Sequence, residues 1–301
     1  MSPAVSVVIA TYNRAKLLGE TLESILGQTF RDFEVIVVDD GSTDETERVI
    51  NSYGQRVRYY YQKNKGPSAA RNLGVHHARA EWISIQDSDD LCLPNHLGVL
   101  HGYVKSHPEV GMVFANGEYL GGPVHNRETI IPEAKSRQLA RRPVRLEDIF
   151  DKSIVRLQAG LIAKKSYNEI GGHDESLRIC MDLDLAFRLW ACYPMAYIDQ
   201  VVFSYRRHEG NISADQERRL SENIRVIEKL LRENPKAEEI LGKGRIQRRL
   251  AYRYYRLAKT RLKHGKGSEA RAALDSAARL SPLNPKYRLY QLQWLALRAR
   301  A

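Results

Sequence analysis

Short β-branched apolar blocks alternate with amphipathic stretches over roughly the first two thirds of the chain. Val5-Ser6-Val7-Val8-Ile9-Ala10 is one such block, apolar enough for a strand buried on both faces. Between Ala15 and Gln28, Leu17, Leu18, Leu22, Ile25 and Leu26 recur at helical spacing. Phe33 to Val38 repeats the strand pattern and runs into Asp39-Asp40-Gly41-Ser42, a turn and helix cap. The pattern then predicts a helix over Thr43–Ser52, a strand over Val57–Tyr61 and a helix from Gly66-Pro67-Ser68 to about Ala78. A strand over Glu81–Gln86 closes in Asp87-Ser88-Asp89-Asp90. Pro94 suits the first turn of a further helix, and Val110–Ala115 reads as another strand. Such alternation predicts an α/β fold, a mostly parallel sheet flanked by helices on both faces. Residues 117–145 are weakly periodic, as in a long loop or small subdomain. Alternation resumes over Gly160–Lys164, Tyr167–Ile170, Asp182–Cys192 and Ala196–Tyr205. Beyond about residue 213 the pattern is helical throughout: Ser213–Asn234, Ala237–His264, Gly267–Leu280 and Pro285–Arg300.

Charge changes at the same place. From Asn211 onward there are 22 Lys and Arg against 9 Asp and Glu, a net of +13 that exceeds the +11 of the whole chain. The rest is nearly neutral, so two modules are expected, 1–212 (halves 1–115 and 116–212) and an all-helical basic extension, 213–301. Apolar residues at 43% and charged residues at 28% exclude a wholly disordered chain, a collagen and a membrane bundle. No apolar run reaches the roughly 18 residues of a spanning helix. Met1 to Val5 has no basic region, so no signal peptide is expected. Cys92, Cys180 and Cys192 lack metal-ligand spacing, which fits a reduced, cytoplasmic setting.

Ligands of an open parallel sheet bind at the carboxyl ends of its strands. There the chain places Thr11-Tyr12-Asn13-Arg14, Asp39-Asp40 and Asp87-Ser88-Asp89-Asp90. An aromatic ring to pack on a base, a carboxylate to accept from a base N–H and an acidic cluster for a divalent cation together suit a nucleoside diphosphate. Mg²⁺ and Mn²⁺ take oxygen ligands and need few carboxylates when phosphates supply the rest. A Gly-rich phosphate loop is absent from the sequence, which leaves neutralisation of the phosphates to the metal.

These residues resemble the opening of glycosyltransferase family 2. The likeness runs from Val5 to Arg14, through Gln28-Thr29-Phe30, Glu34 to Asp44 and Lys65 to Gly74, to Gln86-Asp87-Ser88-Asp89-Asp90 and Pro94. It resumes at Ile170-Gly171-Gly172-His173-Asp174-Glu175 and continues through Arg188. The resemblance implies a GT-A, Rossmann-like fold, a nucleotide-sugar donor, a divalent metal and inversion at the anomeric carbon. It implies that Ala10 and Tyr12 contact the base, that Asp40 bonds it, and that Arg14 and Arg71 approach the nucleotide. Asp87 and Asp89 match the Asp-x-Asp motif, with Asp89 as metal ligand and Asp90 beside it. His208, in Tyr205-Arg206-Arg207-His208, reaches the metal or the pyrophosphate. The family's Glu-Asp pair is Met181-Asp182 here, so Asp182 is the expected catalytic base, with Asp184 as runner-up. Asp182 is also placed to cap the helix that follows. Arg71 or Arg207 is expected to help the metal stabilise the leaving diphosphate.

The implied activity is an inverting, Mn²⁺- or Mg²⁺-dependent transferase of hexosyl type. It uses a nucleotide sugar, most simply UDP-linked, and a glycan or lipid-linked acceptor, as in surface polysaccharide biosynthesis. Met181 keeps open a second reading, an inactive nucleotide-sugar-binding scaffold acting through its tail. A nucleotidyltransferase would usually show a Gly-rich basic N-terminal loop, absent here. In the tail, Tyr254-x-x-Leu257-Ala258, Ala270, Leu274, Ala277 and Pro282 resemble one degenerate tetratricopeptide repeat. A single repeat cannot bury its own face, so it packs on the catalytic module, a partner or another copy. Its cationic face suits the anionic inner surface of the cell membrane or an acidic partner, or is only solvated. Nucleic acid is the least supported partner, since no fold for it is recognised.

Overall fold

The computed structural model describes residues 2–120, 128–208, 212–287 and 289–290. The chain divides into two compact units, Met1–Asn211 and Ile212–Ala301. The first begins with β1 (Val5–Thr11), α1 (Ala15–Leu26), β2 (Phe33–Asp39), α2 (Thr46–Asn51), β3 (Arg58–Tyr61), α3 (Pro67–His77) and β4 (Trp82–Asp87). β1 lies between β2 and β4 and is parallel to both, and β3 extends the parallel run beyond β2. Val8 faces Ile36 on one side and Ile85 on the other, all three buried. Apolar strands of this kind leave water most favourably at the centre of a sheet covered on both faces.

The chain continues with β5 (Leu91–Cys92), α4 (His96–Ser106), β6 (Met112–Leu120), α5 (Glu133–Leu139), α6 (Leu146–Lys152), β7 (Gly160–Ala163), α7 (Lys164–Glu169), α8 (Met181–Cys192) and β8 (Met195–Arg206). The sheet order is β3-β2-β1-β4-β7-β6-β8-β5. β7 runs antiparallel to β4 and β6, and β5 antiparallel to β8. The sheet is therefore parallel in its first half and mixed in its second. Strand composition reports burial, not direction, so hydrophobic patterning could not see the reversal.

Residues 117–145, expected as a loop or subdomain, contain the end of β6 and all of α5, while residues 121–127 lie outside the described residues. The second unit holds α9 (Gln216–Glu233), α10 (Lys236–Leu241), α11 (Lys243–Lys263) and α12 (Gly267–Leu280). A single helix was expected over Ala237–His264. Gly242 interrupts it with φ +74°, a left-handed conformation that ends one helix and lets the next start. Residues 285–287 and 289–290 are helical, and the remainder of the last predicted helix lies outside the described residues. Among the described residues no helix is long and apolar enough to cross a membrane.

Candidate active site

Strand register decides which polar residues meet. Ala10 pairs with Asp87 and Thr11 with Asp39, so the ends of β1, β2 and β4 share one edge of the sheet. The turn after β4 carries Asp87, Asp89 and Asp90, each offering an oxygen within 4.8 Å of the others. β8 runs back beside β5 with Ser204 opposite Leu91, which brings the end of β8 onto this turn. His208 Nε2 lies 2.9 Å from Asp89 Oδ2, and Arg14 Nε approaches the same oxygen at 3.6 Å. The Arg206 N–H donates to Asp90 Oδ1 at 2.8 Å, and its side-chain Nε donates to the Asp89 carbonyl at 3.0 Å.

Asp90 is 3% exposed, and its Oδ2 is buried without a hydrogen-bond partner. Burial first and the charge of Asp87 second raise its pKa well above the usual carboxylate range, against the hydrogen bond from the Arg206 N–H. Asp89 is raised for the same two reasons, opposed by His208 and Arg14. Crowded carboxylates with an orphaned buried oxygen and a neighbouring imidazole are the donor set that a Mg²⁺- or Mn²⁺-sized cation satisfies. Asp89, His208 and the flanking carboxylates therefore fit a divalent metal.

Arg71, from the middle of α3, joins the acidic turn to α8. Its Nη2 donates to Asp87 Oδ1 at 2.6 Å and its Nη1 to Asp182 Oδ1 at 2.8 Å. The guanidinium is nearly enclosed, whereas Asp182 keeps 27% of its side-chain surface and Asp87 30%. Burial raises the Asp182 pKa and Asp87 raises it further, while Arg71 lowers it. The expected cap role does not hold: Cys180 is the N-cap of α8, and Asp182 is its second helical residue. Asp184, the runner-up base, is 2% exposed and receives Arg188 Nε at 2.8 Å and Nη2 at 2.6 Å. The pair lies within α8, and Arg188 Nη1 ties the helix to the Ile170 carbonyl at 2.7 Å.

Met181, where the family pattern has Glu, is buried, and its Sδ receives Ser68 Oγ at 3.3 Å. That position faces α3, so the loss of a carboxylate there changes packing. Asp40 is 3% exposed; Oδ1 accepts from Gln62 Nε2 at 2.6 Å and Lys65 N–H at 2.8 Å, and Oδ2 from Gly66 N–H at 2.7 Å. It shapes the loop that starts α3. Tyr12, just beyond β1, leaves 46% of its surface exposed.

Three features escaped the sequence reading. Buried Gln158 donates to Asp87 Oδ2, completing the carboxylate's partners opposite Arg71. Arg206, not Arg207, reaches the acidic turn; the Arg207 guanidinium stacks on the Tyr119 ring at 3.6 Å. Gln62 braces Asp40. Neither glutamine belongs to a recognisable motif, and the Arg206-Arg207 pair is ambiguous until the strand direction is known.

The family model for Glycosyl transferase family 2 matches residues 6–159. An uncharacterized glycosyltransferase of Rickettsia typhi is 29% identical over 247 residues, 81% of this chain and 76% of that protein. Two solved structures share the fold. TarS 1–349 of S. aureus, in complex with UDP-GlcNAc, aligns with a TM-score of 0.64 and 20% identity over 93% of this chain and 81% of its own. Mannosyltransferase PcManGT from Pyrobaculum calidifontis, in complex with GDP-Man and Mn²⁺, aligns with a TM-score of 0.65 and 21% identity over 99% and 86%.

Proposed function

The chain belongs to glycosyl transferase family 2, and we propose that it is an inverting, divalent-metal-dependent enzyme moving a sugar from a UDP-linked donor to a hydroxyl of a glycan or lipid-linked acceptor. Its setting is surface polysaccharide synthesis, in the cytoplasm and peripherally on the inner face of the cell membrane. The observation that carries this reading is the Arg71 bridge, which holds Asp182 of α8 against the acidic turn of β4. One carboxylate partly open to solvent thus stands across from a cluster suited to a metal diphosphate. The UDP-GlcNAc bound by TarS and the GDP-Man and Mn²⁺ bound by PcManGT support a nucleotide-sugar donor and a cation.

The base of the donor stacks on Tyr12 beside the backbone of Ala10. Asp40 Oδ2, which accepts from the Gly66 N–H, keeps a second lone pair for a base N–H. Asp89 and His208 would hold the cation, together with the neighbouring carboxylates of Asp87 and Asp90, and Arg14 steadies Asp89. Bound there, the cation supplies positive charge for the departing diphosphate. Asp182 accepts the proton of the acceptor hydroxyl as the new C–O bond forms and the bond from the anomeric carbon to the diphosphate breaks. Arg71 keeps Asp182 oriented and ionised. A single displacement from the face opposite the leaving group inverts the anomeric centre.

Asp182→Asn is nearly isosteric and removes the proton acceptor. It should lower kcat by about 10²–10⁴-fold, with donor KM little changed and the melting temperature lowered, because buried Arg71 keeps only Asp87 as a charged partner. Transfer at the wild-type rate by the folded variant would remove Asp182 from the mechanism. The scaffold alternative rests on Met181, and the inward position of that side chain weakens it. A metal-dependent release of UDP from UDP-sugars separates the two readings.

A further inference from the structure

Helix α11 carries nine Lys and Arg and no Asp or Glu in 21 residues. One side is buried through Ile246, Leu250, Leu257 and Ala258, packed within the second unit where α11 meets α9 and α12. At about 100° per residue, Arg245, Arg248, Tyr252, Arg256, Lys259 and Lys263 fall within an arc of roughly 80°. At ~1.5 Å per residue they form a ridge of about 27 Å. Arg248, Tyr252, Lys259 and Lys263 are exposed, and Arg245 and Arg256 half-buried.

Carboxylates of this unit meet other parts of the helix. Glu228 accepts from Tyr254 at 2.7 Å, and Glu217 from Arg261 at 3.3 Å; Tyr254 and Arg261 project from the far side. Among the described residues, Arg248, Arg256, Lys259 and Lys263 pair with no carboxylate. Arg256 instead donates to the Tyr252 hydroxyl at 3.1 Å. That hydrogen bond, with the charges of Arg256, Arg253 and Lys286, lowers the Tyr252 pKa, as a positive local potential must.

A linear row of cations along one helix face matches the charge of a flat anionic surface over several headgroups. Exposed Tyr252, midway along the row, adds a group suited to the headgroup layer. We propose that this face of α11 docks the protein on a membrane surface carrying anionic phospholipid headgroups. The proposal rests on the reading of a membrane-side acceptor and names the face that meets the lipid.

The test sediments the full-length protein with vesicles of phosphatidylcholine alone or mixed with phosphatidylglycerol. Binding is expected only to the anionic vesicles and should weaken as salt rises. A variant combining Arg248→Glu, Lys259→Glu and Lys263→Glu should partition about 100-fold less. A control combining Arg31→Glu, Arg79→Glu and Lys105→Glu makes the same change in net charge on the first unit and should bind within about twofold of wild type. Circular dichroism melts check that both variants fold. Equal binding to neutral vesicles, an equal loss in the control, or retention on polyglutamate beads without vesicle binding would overturn the proposal. Release of UDP from UDP-sugars, measured on the same preparations, separates the two readings. Wild-type protein that releases UDP but ignores every vesicle ends the docking proposal and spares the catalytic one; binding without release does the reverse.

Discussion

Asp182 must be ionised to accept a proton, yet burial and the charge of Asp87 favour its protonated form and only Arg71 and, more weakly, Arg156 oppose them. Its folded pKa is raised, so the carboxylate is lost on acidification earlier than a free aspartate would be. Activity should fall as pH drops through that raised pKa, with the acid limb of kcat above the ordinary value of about 3.9. Arg71→Gln should move the limb higher still; a limb unmoved in a pH–rate profile would show that another group controls it. Gln158 is a positioning residue, since it acts through Asp87. Gln158→Leu strands one oxygen of that carboxylate and should lower kcat by roughly tenfold, the worth of one charged hydrogen bond, with donor KM within about twofold. Gln158→Asn should lie between. The acidic turn was legible because residue type at a strand end is local, and Asp182 was singled out through the resemblance to a family motif. Gln158 lies 71 residues from its partner, and nothing in its neighbours marks it.

Among the elements, α3 places Arg71, and its distance from the sheet is set by Gly74. A Cβ built there lies 2.4 Å from Val8 Cγ1 and 3.3 Å from Val38 Cγ2. These are valines of the sheet centre with nowhere to move. Gly74→Ala should therefore destabilise the protein by about 1–3 kcal/mol, read as a lower midpoint in urea denaturation. It should also reduce activity in the folded fraction, because lifting α3 draws Arg71 away from Asp87 and Asp182. A variant as stable as wild type would show that helix and sheet can separate without strain. Hydrophobic period located β1, β2, β4 and α3 to within a residue or two. It failed over 117–145, where α5 is only seven residues long, too short for a period to stand out from noise.

For the whole molecule, the crowding of Asp87, Asp89 and Asp90 opposes folding while all three are charged, and a bound cation reverses that. Mn²⁺ or Mg²⁺ should raise the melting temperature of wild type, by up to about 2.7 kcal/mol of stabilisation at 100 times Kd. Asp89→Asn should abolish the rise, and EDTA should remove it from wild type. An equal rise in Asp89→Asn, measured by differential scanning fluorimetry, would place the cation elsewhere.

Local chemistry was enough to mark out the elements of the parallel half and the acidic turn, because each depends on near neighbours in the chain; Asp182 was singled out through the family resemblance. Strand direction and order came only with the tertiary structure. A buried strand has the same composition whichever way it runs, and β8 reaches the acidic turn only because it lies antiparallel to β5. That single pairing selects Arg206 over Arg207 and carries His208 to Asp89 across 119 residues of chain. The bridge from Asp87 through Arg71 to Asp182 is of the same kind: a contact between distant segments whose energy exists only once the sheet and its helices have assembled.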